Sequence, residues 1–412
     1  MRSVAVVTTA FPTAAFFVEA DVKRLHERGV RVQVFALRSP RGRTWQPEHD
    51  ALLPLTRWVG SPLHPSAWMA LLAWMVRKPH VLLPEWLKQL WASRGSRYAF
   101  LGHVGYLPAA ARIATLVERG DFDCVHAAWA HFPGSVAYLV SRLTGRRFSM
   151  SAHAGSDLYR TQAFLGEKLR AARFTSACVR RNAEMLRALG GPRARVECVY
   201  HGVDLRRFDG AQRRRDPEPH LVTVGRLAPA KGYDVAIRAL ASLATRGIRP
   251  RLTVVGEGPE RPHLEALVRE AGLGEQVRFA GELPQAELIG LYARAWLLLA
   301  PSRVLSNGRR DGIPNVTVEA MAMGLPVLGT YAGGLDEAVT PGETGGLVPP
   351  DDPAAFAEAL ERLLADPQEL DRMSERACQR AHGEFDAGRN FQRLFELLEL
   401  AQDEEQRVGG AA

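Results

Sequence analysis

The sequence predicts an α/β protein made of two doubly wound domains. Three observations lead there. Short β-branched runs alternate with amphipathic helical segments through both halves, a polar Arg- and Pro-rich stretch separates the halves, and the net charge changes sign across that stretch. The chain has 412 residues, too many for one ordinary core, so two domains are expected.

In the first half, "VAVVTTA", "RVQVFAL", "FDCVHAAW", "RFSMSAH" and "RVECVYHGV" read as buried strands. In the second, "LVTVGRL", "RLTVVGEG", "VRFAGEL", "WLLLAPS" and "PVLGTY" alternate with helices more regularly still. Such alternation means parallel sheets with helices on both faces. The expected layout is a domain over 1–208, a linker over 209–219, a domain over 220–385, and a charged amphipathic helix and tail over 386–412. The N-terminus reads as a first strand rather than a signal peptide. The longest apolar run, Ala67 to Val76, is too short to span a bilayer.

Composition excludes several classes. Hydrophobic residues are 46% and charged residues 24%, ordinary values for a globular protein. Four cysteines without a C-x-x-C pair argue against a disulfide framework or zinc site and fit a reducing cytosol. Residues 1–208 hold 30 Lys and Arg against 14 Asp and Glu, and the remainder 23 against 31. A basic half suits a partner bearing phosphate, whether nucleic acid, an anionic membrane or a phosphorylated substrate. Residues 51–100 contain five of the eight Trp, six Lys or Arg, and one acid, Glu85. Basic helices with Trp and Leu on one side bind membrane interfaces. The same Trp would serve equally as core covering the sheet. Both readings stay open, and the basic surroundings favour membrane contact.

Candidate site residues cluster in the second half. After "LVTV" come Gly225-Arg226 and then Lys231-Gly232 before a helix. A loop after a parallel strand lies at the ligand-binding edge of such a sheet. There Arg226 offers a fork for phosphate oxygens and Lys231 a compact second charge. Solvated surface charge is the plainer reading of either residue alone. "VVGEGPER" is neither G-x-G-x-x-G nor a Walker lysine motif, which disfavours a dehydrogenase or P-loop protein. "DGIPNVTVEAMAMG" places Asp311 before a helix and Glu319 on it. Backbone amides at Gly312, Ile313 and Asn315 could meet an anion or sugar hydroxyls at that helix start. In the first half, His153 and Asp157 follow a strand, and His126 and His131 sit at another strand end. For the last two a structural role is the stronger reading, although either could line an acceptor pocket. "DFD" at Asp121 to Asp123 precedes a strand, reads as a turn, and leaves no metal site in view.

Together these pieces resemble glycosyltransferase family 4, whose members are retaining nucleotide-sugar enzymes with the GT-B fold. "VGRLAPAKG", "VVGEGPE", "FAGELPQAEL", "DGIPNVTVEAMAMGLPV" and "GGLDEAVTPGETGGLVPPDD" occur in that order. The first half, with "HAAWAHFPG" and "SAHAGSD", is similar to the branch that builds exopolysaccharides of the colanic-acid type. The resemblance implies two Rossmann-like domains facing a cleft, the first binding acceptor and the second the nucleotide sugar. The last helix would cross back to the first domain. It also implies that Gly225, Arg226, Lys231, Gly312, Ile313, Asn315, Val318 and Glu319 bind the donor, with Glu319 on the ribose. His153 and Asp311 would act at the reacting sugar, and Thr13, His131 and Asp157 would contact acceptor or sugar. Two positions depart from the family. Asp311 stands where a Glu is usual, and "TTAFPTAAFF" replaces the usual Gly-rich loop after the first strand.

The implied activity is transfer of a sugar, with retention, from a UDP or GDP donor to a glycan or lipid-linked acceptor. No metal or cofactor and no nucleic-acid partner are expected. The expected location is cytoplasmic, peripheral on the inner face of the plasma membrane. The alternatives are a phosphorylase or epimerase on the same fold, and a non-catalytic basic protein binding membrane or nucleic acid.

Overall fold

Strands that are apolar at nearly every position must be covered on both faces, and both sheets obey this. The computed structural model describes residues 3–12, 16–40, 47–59, 64–208 and 212–408. These divide into two units, Met1–Val199 with Phe391–Ala412, and Tyr200–Asn390.

Unit 1 begins β1 (Ser3–Ala10), α1 (Phe16–Glu27), β2 (Arg31–Arg38), β3 (Thr56–Trp58), and then four helices in succession. These are α2 (Pro65–Arg77), α3 (Pro79–Ala92), α4 (Arg97–Gly105) and α5 (Leu107–Arg119). It continues β4 (Cys124–Ala127), α6 (Phe132–Thr144), β5 (Arg147–Ala152), α7 (Ser156–Tyr159) and α8 (Leu165–Ala171). β6 (Thr175–Ala177), α9 (Arg180–Gly190) and β7 (Val196–Cys198) complete it. The sheet order is β3-β2-β1-β4-β5-β6-β7, and every pair is parallel. β1 shows the two-sided burial: Ala5 and Val7 join one core, Val4 and Val6 the other.

Unit 2 runs β8 (His220–Val224), α10 (Tyr233–Thr245), β9 (Arg251–Val255), α11 (Arg261–Glu270), β10 (Val277–Gly281) and α12 (Gln285–Arg294). It goes on with β11 (Leu297–Ala300), α13 (Asn315–Ala322), β12 (Val327–Thr330), α14 (Leu335–Ala338), β13 (Gly345–Val348), α15 (Pro353–Ala365) and α16 (Pro367–Glu384). Its order, β10-β9-β8-β11-β12-β13, repeats the same winding, again all parallel. In each sheet the chain reverses direction of winding beside the first strand, between β1 and β4 and between β8 and β11. Ligands of open α/β sheets bind at such switch points. The last helix, α17 (Ala387–Val408), is apportioned to unit 1 from Phe391 onward. Its Phe391, Leu394, Leu397 and Leu398 share a core with Val18, Val22 and Leu25 of α1.

Three strands escape the sequence reading. β3 is three residues long, β6 is "TSA", and β13 begins with two glycines, so none carries an apolar run. The division between units also falls earlier than residue 208. Val203, Leu205 and Phe208 pack in a unit 2 core, because the stretch carries three large side chains with nowhere else to bury. The expected linker is partly built in: the Arg213 guanidinium donates to the carbonyls of Gly324 and Ala295. The Trp-rich segment is core only in part. Trp74 is wholly buried and donates to Thr115 Oγ1 at 3.0 Å, whereas Trp68 and Trp91 are exposed.

Candidate functional site

The loops after β8, β9, β11 and β12 lie against one another at the carboxyl edge of the unit 2 sheet, and glycines make the approach possible. Gly232 has φ +64°, and a Cβ there would stand 2.0 Å from the Pro301 carbonyl oxygen. Gly333, at φ +73°, would meet the Asp311 carbonyl oxygen at 2.3 Å. Both positions therefore require glycine on conformational and steric grounds. Arg303 ties the loops from within. Its guanidinium reaches both oxygens of Asp234 at 2.8 and 2.9 Å, and its Nε lies 2.7 Å from Asp351 Oδ1.

Within this frame the structure brings Lys231 and Asp311 together. Lys231 Nζ lies 2.9 Å from Asp311 Oδ2, close enough for an ion pair although the approach is not aligned as a hydrogen bond. Gly225 adjoins them: a Cβ at Gly225 would fall 3.9 Å from Lys231 Nζ. Arg226 is exposed on the same loop, with no carboxylate partner among the described residues. Gly312 and Ile313 lead into α13, whose N-cap, Pro314, makes no side-chain cap bond. The Thr317 amide closes a turn on the Pro314 carbonyl at 2.9 Å, and the amides of Asn315 and Val316 precede it at a helix start that favours negative charge. Glu319 sits half-buried one turn further on. Burial pushes its carboxyl above the usual range, opposed by the Tyr292 hydroxyl at 3.4 Å and the nearby charge of Arg207. The Val318 side chain is buried in the core behind α13, because the face that carries it turns toward β11 and β12, so it offers a ligand nothing but backbone.

Unit 1 has its own cluster at the carboxyl edge of β4 and β5, organised by Asp157. Its buried carboxylate accepts from the amides of Ala130 (3.1 Å), His131 (2.9 Å) and His153 (2.8 Å), and from His131 Nδ1 at 2.6 Å. Burial alone would raise this carboxyl; the hydrogen bonds and the His131 and His153 rings together hold it below the usual range. Lys168, also buried, grips the opposite side of the same peptides through the carbonyls of Ala130 and His131. Its burial pulls the ammonium down to about 7. His131 is thereby fixed with Nδ1 donating and Nε2 turned toward Thr9 Oγ1, at 3.4 Å.

His153 is buried between Phe17 and Trp129, each ring centroid 4.7 Å away, and its Nε2 donates to the Ala128 carbonyl at 2.9 Å. Burial lowers its affinity for a proton, opposed by the Asp157 charge and the Ala128 hydrogen bond. His126 bonds Ser149 and Ser151 in the sheet interior, as befits a structural histidine. Asp123 accepts from the Ser3 amide, so the "DFD" segment holds the start of β1. Thr13 lies outside the described residues.

Sequence reasoning missed Arg303, Tyr292, Arg207 and Lys168. Arg303 follows a strand end and could have been found by that placement. Lys168 lies on a helix far along the chain, and nothing in its surroundings marks it.

Two doubly wound parallel sheets, with Lys231, Asp311 and Glu319 around the carboxyl edge of the second, are the architecture of GT-B nucleotide-sugar glycosyltransferases. Comparison with known proteins agrees. Residues 206–380 match the family model "Glycosyl transferases group 1", and residues 17–207 match "Glycosyltransferase Family 4". The chain is 36% identical over 296 residues to D-inositol 3-phosphate glycosyltransferase 1 of Catenulispora acidiphila, covering 64% of this chain and 69% of that one. It is 32% identical over 219 residues to the putative colanic acid biosynthesis glycosyltransferase WcaL of Escherichia coli, spanning about half of each (53% and 54%). Among solved structures, Anabaena HepE in complex with UDP superposes with a TM-score of 0.70 at 18% identity, over 97% of this chain and 100% of that one. The protein belongs to glycosyltransferase family 4.

Proposed function

We propose that the protein transfers a sugar, with retention of anomeric configuration, from a UDP- or GDP-sugar to a hydroxyl of a glycan or lipid-linked acceptor. The observation that carries this reading is the placement of Lys231, Asp311 and Glu319 round one sheet edge beside the α13 amides. Glu319 suits a ribose diol, since a half-buried carboxylate pays its desolvation back only by accepting hydrogen bonds. Lys231 and Arg226 suit the diphosphate, whose negative charge grows as the glycosidic C–O bond breaks. Those two cations and the helix start meet that charge without a metal ion. The new C–O bond forms on the face the diphosphate leaves, and the acceptor's hydroxyl proton passes to a departing phosphate oxygen. Asp311 contacts the transferred sugar. In unit 1, His131 and Asp157 serve the acceptor or the sugar, and the buried His153 acts at the reacting sugar through its backbone.

Similarity to a colanic acid enzyme favours a role in exopolysaccharide or other cell-surface glycan assembly, at the cytoplasmic side of an anionic membrane. The test is a panel of UDP- and GDP-sugars with lipid-linked acceptors, products read by mass spectrometry and anomeric configuration by NMR. Orthophosphate-dependent release of sugar phosphate, or sugar epimerisation without acceptor, would replace this reading with a phosphorylase or epimerase.

A further inference from the structure

The helical layer α2–α4 of unit 1 is built inside out. A helix on the surface of a water-soluble domain turns its apolar stripe inward and its polar face outward. α3 does the reverse: Glu85 and Gln89 are buried, while Leu87 and Trp91 are exposed, Trp91 by 69%. α4 repeats the inversion, burying His103 and exposing Phe100, Leu101 and Val104. α2 is apolar all round. Ala67, Ala70 and Trp74 face the core, and the outer side presents Trp68, Met69, Leu72 and Val76, Leu72 being 68% exposed.

The buried polar groups are hydrogen-bonded to one another apart from Gln89, whose Nε2 has no hydrogen-bond partner. Glu85 accepts from the Tyr138 hydroxyl at 2.6 Å and from Arg142 and Lys88 at 3.3 and 3.2 Å. Ser93 Oγ meets His103 Nδ1 at 2.7 Å, and His103 Nε2 meets Ser135 Oγ at 2.9 Å. Burial and the charge of Lys168 pull His103 down to about 3, so the network stays neutral there. Polar groups paired inside and apolar groups outside is the arrangement that lipid favours.

Charge names the kind of lipid. Between residues 64 and 106 the only carboxylate is Glu85, which is buried. The exposed face therefore carries no acid, while Arg94, stacked over Trp91 at 4.3 Å, and Arg97 flank its apolar centre. Pro84, Leu87, Leu90, Trp91, Arg94 and Phe100 line a shallow apolar groove there. No single helix among the described residues is long and apolar enough to cross a membrane. We propose that the outer face of α2–α4 lies in the interface of an anionic bilayer, with Trp68, Leu72, Trp91 and Leu101 among the acyl chains and Arg94 and Arg97 at the phosphates. The proposal deepens the membrane-side placement given above and does not depend on the donor or the reaction.

The test uses the full chain with vesicles rich in phosphatidylglycerol and with vesicles of phosphatidylcholine alone, read by flotation and tryptophan fluorescence. The expected result is co-flotation with the anionic vesicles and a blue-shifted emission, weakened by high salt. Trp68→Ser with Leu72→Ser and Trp91→Ser should lower partitioning on the order of a hundredfold, since three inserted apolar groups are lost. Arg94→Glu with Arg97→Glu should lower it roughly tenfold or more, and Leu189→Ser, on exposed α9, should change nothing. UDP or GDP binding, followed by calorimetry in every variant, reports separately on the fold and on the proposed activity. Absence of vesicle binding, or binding indifferent to the triple variant, overturns the proposal. So does a wild-type dimer, seen by analytical ultracentrifugation without vesicle binding, that the triple variant splits; the face would then belong to a second copy of the chain.

Discussion

Lys231 is engaged before any donor arrives, and that gives its substitution a distinctive pattern. Its ammonium stands 2.9 Å from Asp311 Oδ2, with side chains 22% and 36% exposed. Unscreened, such a pair would be worth about 6 kcal/mol at an effective dielectric near 20. With this much solvent contact the net figure falls to about 1 kcal/mol. A hydrogen bond from the same ammonium to a diphosphate is worth about 1.5–3 kcal/mol. Donor binding must share or break the Asp311 pair, so Lys231→Met should weaken UDP or GDP binding by only about 1–2 kcal/mol, roughly five- to thirtyfold. Asp311→Ala frees the lysine and should tighten the nucleotide by up to about fivefold, while turnover falls. In the Asp311→Ala background, Lys231→Met should then show its full cost of about 1.5–3 kcal/mol. Isothermal titration of UDP and GDP into the four proteins closes the cycle. Weaker nucleotide binding by Asp311→Ala, or strict additivity of the two substitutions, would refute a competition between carboxylate and phosphate for Lys231.

Three further outcomes follow from the geometry. Glu319→Gln should weaken nucleotide binding yet stabilise the free protein. The folded carboxyl binds its proton more tightly than the unfolded one, so wild-type stability falls as pH rises above the ordinary carboxylate range, and the gap to the variant should widen from pH 4 to 7 in thermal melts. Asp157→Asn should behave oppositely. Its carboxyl is held below the usual range, so its contribution is present at neutral pH and lost on acidification; urea melts should show a deficit of about 2–4 kcal/mol at pH 7 that shrinks toward pH 3. Gly232→Ala, with φ +64° and the Pro301 carbonyl in the way, should cost about 1–2 kcal/mol in conformation alone and more through the clash, seen as a lowered melting temperature and reduced nucleotide binding.

The fold was legible where burial leaves a mark on composition. β1, β8 and β11 are buried at nearly every position and read directly as apolar runs. β6 and β13 were not legible, because "TSA" and "GGLV" join their sheets through backbone hydrogen bonds that ask little of the side chains. The same physics explains residues 200–208. Three apolar residues among polar ones give no period, and only packing reveals that they complete a unit 2 core.

The candidate site shows a sharper limit. Sequence motifs mark residues that a ligand constrains, and Lys231, Asp311 and Glu319 carry such marks. They do not mark residues that constrain the loops. Arg303 holds the loop after β11 through Asp234 and Asp351, which are 69 and 48 positions away, and its backbone amide donates to Ala230. Lys168 and Asp157 hold the peptides at Ala130 and His131 from opposite sides, one through carbonyls and the other through amides. Neither contact has a fixed spacing in the chain, so no pattern reports it. Yet the position of His131 depends on both, and the Asp157 carboxylate sets Nδ1 as the ring nitrogen that donates. Where backbone is clamped by buried charges, the residues that place a site are set by topology rather than by local sequence, and they become visible once the strands are in register.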